Sequence, residues 1–178
     1  MRLFIAINLN DETRSNLLAL RDELSSRAER GSFSLPENMH LTLAFLGECS
    51  PKQASLAKTA IGALSFEPFQ MLIERFGNFG RGGREGAIWW AGVRESEPLR
   101  SIQRELTDRL TEAGFTLDRR KFSPHITLGR QVVTDTAPRR IEPFGETVSK
   151  IDLMKSERID GKLTYTQIYS KNANDLSS

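Results

Sequence analysis

The chain has 178 residues, and its 25 Lys and Arg residues nearly balance its 23 Asp and Glu residues, so the formal net charge is +2. This length suits one domain with its own core, and the ordinary apolar and charged fractions exclude disordered and collagen-like chains. The small charge does not indicate bulk nucleic-acid binding. The single cysteine, Cys49, excludes an internal disulfide and thiolate zinc sites. No segment resembles a signal peptide or a transmembrane helix, so we expect a cytoplasmic protein.

The first half of the chain predicts strand, helix, strand and helix in that order. Residues 2–9 are rich in Ile, Leu and Phe, and the apolar residues that follow repeat at helical spacing up to a stop near Gly31. A capping serine, a proline and a glutamine then open a second helix that runs to about Leu64. Between the helices, residues 40–46 alternate as a strand does. One face carries His40, Thr42, Ala44 and Leu46, and the other carries Leu41, Leu43 and Phe45.

The second half predicts strands at 69–76 and 87–93, a helix that Gly114 ends, and a strand at 125–130, followed by tail strands at 147–154 and 162–169. The glycine-rich segment 77–86 lacks the Gly-Lys-Ser/Thr ending of a phosphate loop, so a mobile hairpin is the favoured interpretation. Its arginines, Arg81 and Arg84, are candidate contacts for the phosphates of a longer substrate. The basic clusters at 119–121 and 139–140 are typical of solvated faces.

The pattern of strand, helix and His-x-Thr strand occurs twice. Arg2 lies 38 positions before His40, and Ala87 lies 38 positions before His125, so a shift of 85 superposes both units, with a slip of about one residue in the helices. We therefore predict a single α+β domain over residues 1–178, with duplicated units at about 2–46 and 87–130. The predicted lobes are pseudo-symmetric, each with an antiparallel or mixed sheet and outer helices, and a cleft lies between them.

The two histidines are the only ones in the chain and occupy equivalent places in the duplication. On a strand, residues i and i+2 share a face about 7 Å apart, so His40 lies beside Thr42 and His125 beside Thr127. Two imidazoles around one reacting atom suit phosphoryl transfer, because one can accept a proton while the other donates one. The threonine hydroxyls can donate to phosphate oxygens. This arrangement requires no metal, and no carboxylate lies at a spacing that would complete a zinc site with either histidine.

These residues resemble a known family. Met39-His40-Leu41-Thr42-Leu43-Ala44-Phe45-Leu46-Gly47 and Pro124-His125-Ile126-Thr127-Leu128-Gly129-Arg130 are similar to the paired motifs of the two-histidine phosphoesterase superfamily. Within it, the chain resembles the bacterial and archaeal RNA 2′,3′-cyclic phosphodiesterases, also called 2′-5′ RNA ligases. The opening residues 2–7 and the stretch 156–165 fit that group too, so the resemblance covers nearly the whole length.

The resemblance implies hydrolysis of a terminal ribose 2′,3′-cyclic phosphate to a 2′-phosphomonoester in a cleft between two lobes. His40 would be the proton donor to the leaving 3′-oxygen, His125 the proton acceptor from water, and Thr42 and Thr127 would hold the phosphate. Arg130 is a candidate phosphate contact, although its odd offset from His125 points it to the other face of a regular strand.

Other candidates and alternatives remain open. Phe4 and Tyr165 are candidate substrate contacts, although these aromatics, with Trp89 and Trp90, are more typical of packing than of base stacking. We expect no cofactor, no metal, no membrane association and no obligate protein partner. We therefore expect a monomer whose partners are RNA 3′ ends or small nucleotides with a 2′,3′-cyclic phosphate. Two alternatives are a catalytically inactive nucleotide-binding module and the joining of RNA ends through a 2′-5′ linkage.

Overall fold

The computed structural model describes residues 1–80 and 83–175, which form nine strands, three α-helices and two short 3-10 helices. The strands are β1 (Arg2–Asn8), β2 (Ala28–Phe33), β3 (His40–Glu48), β4 (Phe69–Phe79), β5 (Ala87–Val93), β6 (His125–Thr134), β7 (Arg139–Val148), β8 (Lys150–Ile159) and β9 (Lys162–Asn172). The α-helices are α1 (Asp11–Ser26), α2 (Pro51–Gly62) and α3 (Glu97–Glu112). The 3-10 helices are Pro36–Asn38 and Gly83–Glu85. Within the described part of the chain, no helix is long and apolar enough to cross a membrane.

The strands form two sheets. A four-stranded sheet has the order β3-β1-β8-β9, and a five-stranded sheet has the order β2-β6-β5-β4-β7. Every pairing between described strands is antiparallel, so of the two predicted sheet types the antiparallel one is correct. The predicted α+β class is confirmed, and β4 and β5 form the hairpin expected around the glycine-rich segment.

Each helix begins at a side chain that accepts a backbone N–H. Asn10 accepts from Thr13 at the start of α1, and Ser96 accepts from Leu99 at the start of α3. The predicted start of α2 is present as a capping box between Ser50 and Gln53. The helix α1 packs against strands of the five-stranded sheet, whereas α2 packs against β8, β9 and α3. The main apolar core contains residues of both sheets and of all three α-helices.

The duplication is visible in the fold, with small differences from the predicted shift. The motif strands begin at His40 and His125, which are 85 positions apart, and the two 16-residue helices α1 and α3 begin 86 positions apart, as the predicted slip requires. Strands β1 and β5 also begin 85 positions apart, at Arg2 and Ala87, but their pairing with the motif strands is offset by 84, since Asn8 pairs with His40 and Gly92 pairs with His125. The units are also not confined to one sheet each, because β2 pairs with β6. The division into one domain over the whole chain stays a prediction.

Two segments differ from the predicted elements. The first helix ends at Ser26 instead of near Gly31, and the residues that follow form the edge strand β2. The predicted strand at 147–154 is in fact the end of β7 and the start of β8. The basic pair Arg139 and Arg140 is exposed, as expected, but it opens β7. These strands were missed because their sequences are polar and lack a clear alternation of period two.

Both motif strands contain a β-bulge at the fourth motif residue. In β3, Thr42 pairs with Ala6 and Ala44 pairs with Ile5, so Leu43 is the inserted residue. An inserted residue reverses the alternation of faces beyond it. The predicted faces are therefore wrong after Leu43: Ala44 is buried, and the Phe45 side chain is 67% exposed.

In β6 the same insertion occurs at Leu128, since Thr127 pairs with Trp90 and Gly129 pairs with Trp89. The reversal brings Arg130, which follows the bulge, onto the face of His125. The expected orientation of Arg130 away from His125 is therefore wrong, because that expectation assumed a regular strand.

Candidate active site

The structure brings the two predicted histidines together at the start of β3 and β6. His125 lies close enough to His40 to disfavour the charged form of the His40 imidazole. The positive charge of Arg130 contributes to lowering the pKa of both imidazoles and acts in the same direction on Tyr165. Four of the predicted site residues, His40, His125, Arg130 and Tyr165, are therefore close enough to one another to interact electrostatically. Arg130 belongs to this group because of the bulge at Leu128.

Each imidazole is held in the same way through Nδ1. His40 Nδ1 lies 2.7 Å from the carbonyl oxygen of Asn38, and His125 Nδ1 lies 2.7 Å from the carbonyl oxygen of Ser123. A carbonyl oxygen only accepts, so Nδ1 carries the proton in both neutral rings, and Nε2 has the free lone pair. The acceptor is the residue two before the histidine in both motifs. Sequence analysis did not identify these acceptors, because a backbone carbonyl leaves no mark in the sequence.

The two threonines differ in their contacts. The hydroxyl of Thr42 lies 2.8 Å from Nε2 of His40, and because that nitrogen is an acceptor in the neutral ring, the hydroxyl donates to it. Thr127 has the corresponding place in β6, but in the described residues its hydroxyl forms no hydrogen bond with His125. The lone pair of Nε2 is therefore occupied in His40 and open in His125.

Two predicted aromatic residues surround His40. The ring of Phe4 is 4.8 Å from the imidazole and that of Tyr165 is 5.3 Å away, in an edge-on arrangement. Phe4 and Tyr165 also contact each other, at 4.9 Å between ring centres. The exposed ring of Phe45 continues this aromatic surface, 6.3 Å from Phe4. The structure thus places both residues at the site, and it adds Phe45.

A second aromatic pair surrounds His125, and sequence analysis missed it. The ring of Phe79 stands edge-on to the imidazole at 4.9 Å, and that of Trp90 lies 6.4 Å away. The indole of Trp90 extends across β4 over Gly77, where an added Cβ would lie 2.7 Å from the ring. Glycine at that position is therefore needed for Trp90 to lie on this face. Trp89 is buried in the core, as predicted.

Burial sets the acid–base properties of the cleft. Burial lowers the pKa of both His40 and His125 from the ordinary value of 6.5, and the charge of Arg130 lowers it further. The hydrogen bonds to Asn38 and Ser123 oppose this shift. Burial also raises the pKa of Tyr165. Both imidazoles are therefore biased towards the neutral form, and a bound phosphate anion would favour protonation of one of them.

Other polar groups do not form a metal centre in the described residues, where no three His, Cys, Asp or Glu side chains cluster. The fully buried Asp152 accepts hydrogen bonds from Asn8, at 2.7 Å, and from Ser170, at 2.7 Å. Burial raises the pKa of the Cys49 thiol, which keeps it protonated. Arg81 lies outside the described residues.

Comparison with known proteins shows consistent similarity. The family model described as LigT-like phosphoesterase matches residues 7–89 and 92–165. An RNA 2′,3′-cyclic phosphodiesterase of Geobacillus stearothermophilus is 36% identical over 131 residues, which cover 72% of this chain and 41% of the relative. The chain thus matches less than half of that relative's length. The protein of the same name from Thermotoga maritima is 35% identical over 135 residues, covering 73% of this chain and 70% of the relative.

The fold is similar to a solved structure over nearly its whole length. A crystal structure of E. coli LigT in complex with 3′-AMP matches with a TM-score of 0.83 and 25% sequence identity, and the match covers 98% of each chain. The two-sheet arrangement with its three helices is thus shared with a nucleotide-binding protein of that family.

Proposed function

The chain belongs to the LigT-like phosphoesterase family, and from this we propose that it hydrolyses 2′,3′-cyclic phosphates of RNA ends or nucleosides to 2′-phosphomonoesters without a metal. Relatives that cover most of the chain's length are named RNA 2′,3′-cyclic phosphodiesterase. The observation that carries the proposal is the pair of imidazoles in one cleft, each held at Nδ1 by a carbonyl so that Nε2 is the reacting nitrogen. The cytoplasmic location and the monomeric state stay predictions.

The threonine contacts support opposite roles for the histidines. A general base needs an open lone pair, which Nε2 of His125 has and Nε2 of His40 lacks because of Thr42. In the proposed mechanism, Nε2 of His125 accepts a proton from the attacking water. His40, protonated when the anionic substrate is bound, donates its proton to the departing 3′-oxygen. The water oxygen then forms a new bond to phosphorus as the bond to the 3′-oxygen breaks.

The remaining groups stabilise the phosphate in this mechanism. The hydroxyls of Thr127 and Thr42 donate to non-bridging oxygens, and Arg130, placed on the cleft face by the bulge, balances the negative charge. Phe4 and Tyr165 provide an apolar wall for the nucleoside beside His40. The cyclic phosphate is strained and its leaving oxygen mainly needs a proton, so acid–base catalysis alone is sufficient.

Product analysis tests the proposal. The purified protein is incubated with a 2′,3′-cyclic nucleotide and with an RNA oligonucleotide that ends in a 2′,3′-cyclic phosphate, with and without EDTA. We expect 2′-phosphates in both cases, no effect of EDTA, and a loss of at least about 10²-fold in kcat/KM in His40→Ala and His125→Ala. If EDTA abolishes the rate, the metal-free mechanism is wrong. If all three proteins bind the nucleotide but none hydrolyses it, the chain is a binding module.

A further inference from the structure

A row of side chains crosses the five-stranded sheet from His125 to its far edge. His125 in β6 pairs with Gly92 in β5, Gly92 pairs with Arg75 in β4, and Arg75 pairs with Arg140 in β7. Directly opposite residues on neighbouring strands point to the same face. The two exposed arginines, which we call the arginine row, therefore lie on the face that carries His125.

The glycine in this row lets the first arginine approach the histidine. A Cβ added to Gly92 would lie 3.3 Å from Nε of Arg75 and 2.9 Å from the Trp90 ring, so the side chains of both residues lie over β5 at this point. The Arg75 guanidinium is 5.9 Å from the centre of the Trp90 ring. Because adjacent strands are about 4.8 Å apart, the charge of Arg75, which lies over β5, is roughly one strand spacing from His125 in β6.

In the described part of the chain, the arginine row is not paired with acidic side chains. Neighbouring arginines are paired, since Arg94 lies 2.8 Å from Glu74 and Arg139 lies 2.6 Å from Glu23. Neither Arg75 nor Arg140 forms an ion pair within residues 1–80 and 83–175. Like charges directly opposite on two strands destabilise a sheet, so this arrangement carries a cost in the free protein. A bound polyanion would remove that cost.

We propose that the arginine row binds the backbone of an RNA strand, with Arg75 on the phosphodiester immediately 5′ of the terminal nucleotide and Arg140 on the next one. The inference depends on the proposed function, which places the terminal cyclic phosphate between the histidines. It identifies the preferred substrate as an oligonucleotide, because a cyclic mononucleotide with a free 5′-hydroxyl has no phosphate to reach Arg75. Trp90 and Phe79, beside the row, offer ring faces to a base of the same strand.

The test compares two substrates that differ by one 5′ adenosine and the phosphodiester that joins it. One is adenosine 2′,3′-cyclic phosphate, and the other is the dinucleotide ApA with a terminal 2′,3′-cyclic phosphate. We expect the wild-type protein to have the higher kcat/KM with the dinucleotide. Arg75→Gln should lower the dinucleotide value about tenfold more than the mononucleotide value, and Arg75→Lys should restore part of the difference. The slope of log kcat/KM against log salt should become shallower by about 0.7 for the dinucleotide.

A matched control separates a local contact from bulk charge. Arg104→Gln removes the same charge from an exposed position on α3, and it should change neither substrate by more than about twofold. In thermal unfolding without RNA, Arg75→Gln should melt no lower than wild type, because the opposed charges are relieved. An equal loss on both substrates, no loss on either, or the same selective loss in Arg104→Gln would overturn the proposal.

A second measurement keeps this inference distinct from the proposed function. If the wild-type protein hydrolyses neither substrate, the proposed function fails. Fluorescence anisotropy with a labelled ApA 2′-phosphate then decides the subsite by itself. Binding weakened about tenfold in Arg75→Gln but not in Arg104→Gln supports the arginine row, and equal binding by all three proteins refutes it.

Discussion

The two halves of the cleft share a framework and differ in what they attach to it. Both motif strands begin with a histidine held through Nδ1 by the carbonyl two residues earlier, and both contain a bulge at the fourth motif residue. Each imidazole also has an aromatic pair against it. Two positions after the inserted residue, however, one half has Phe45 and the other has Arg130. The hydroxyl of Thr42 occupies its histidine, whereas that of Thr127 does not.

This comparison separates two contributions. The shared framework supplies two imidazoles in equivalent geometry, which alone would leave the direction of proton transfer undefined. In the proposed mechanism the two differences give the cleft a direction, because only one histidine has an open lone pair and only one motif carries a cation. Experiments that exchange or remove these differences therefore test the assignment of roles.

The largest expected effect comes from removing the proton donor. His40→Gln should lower kcat/KM for a 2′,3′-cyclic nucleotide about 10³-fold, within the usual range for general acid–base catalysis. An analogue with sulfur in place of the 3′-oxygen expels a thiolate, which needs no proton because a thiol has a pKa near 8.5. His40→Gln should therefore regain at least about 10²-fold with this analogue, as measured by thiol release.

The matched variant is His125→Gln, which removes the proton acceptor. It should be equally impaired with the natural substrate and should not be rescued by the sulfur analogue, since water still needs a base. Rescue of His125→Gln in place of His40→Gln would reverse the two roles. Rescue of both would show that the halves are functionally equivalent.

A smaller effect is expected from the cation that only one half possesses. Arg130→Gln should lower kcat/KM about 10²-fold, as is typical for the loss of one group that stabilises developing charge. Phe45→Ala, the change at the equivalent position, should cost at most a few fold with a mononucleotide. Equal losses in the two variants would contradict a special role for the cation.

The pH dependence of kcat/KM should also shift in Arg130→Gln. In the wild-type protein the pKa values of His40 and His125 lie below 6.5, so kcat/KM should already be falling as pH rises through 6.5, because the general acid loses its proton. The charge of Arg130 lowers both pKa values, and removing it raises both. The bell-shaped profile of Arg130→Gln should therefore lie at higher pH, and NMR titration of the two imidazoles would show the cause directly.

The smallest expected effect distinguishes the threonines. Thr127→Val should lower kcat/KM about tenfold, because it removes a donor to the phosphate without a competing role. Thr42→Val should cost only a few fold, since the Thr42 hydroxyl already has a partner in the free protein. Steady-state kinetics on both variants measure the difference, and a larger loss in Thr42→Val would place the phosphate mainly against β3.

Sequence patterns predicted the placement of the two His-x-Thr pairs better than that of the residues around them. Strand alternation holds from His40 to Thr42 and from His125 to Thr127, so these pairs were placed correctly on one face. The alternation fails one residue later, at bulges with no local signal, which is why Arg130 was assigned to the wrong face. The contact of Trp90 with His125 was missed because the position of the indole depends on Gly77 in the neighbouring strand β4, and strand register is not visible in a single sequence.

Among the helices and strands too, those with strong local sequence signals were predicted and those that depend on distant neighbours were not. Helices α2 and α3 carried capping residues and regular apolar spacing, and both were predicted. The edge strands β2 and β7 carry few apolar residues and are stabilised by neighbours that are distant in sequence, Val133 and Phe76 among them. Such strands are determined by tertiary pairing, and local composition does not reveal them.

The paired bulges have a consequence for how such a protein diversifies. In the proposed mechanism, each bulge divides its strand into a segment whose histidine transfers a proton and a segment that contacts the substrate. A substitution after the bulge, such as a ring for a guanidinium, leaves the histidine and its carbonyl anchor in place. After duplication, the two copies could therefore acquire different ligand preferences under separate selection while the reaction they share was preserved.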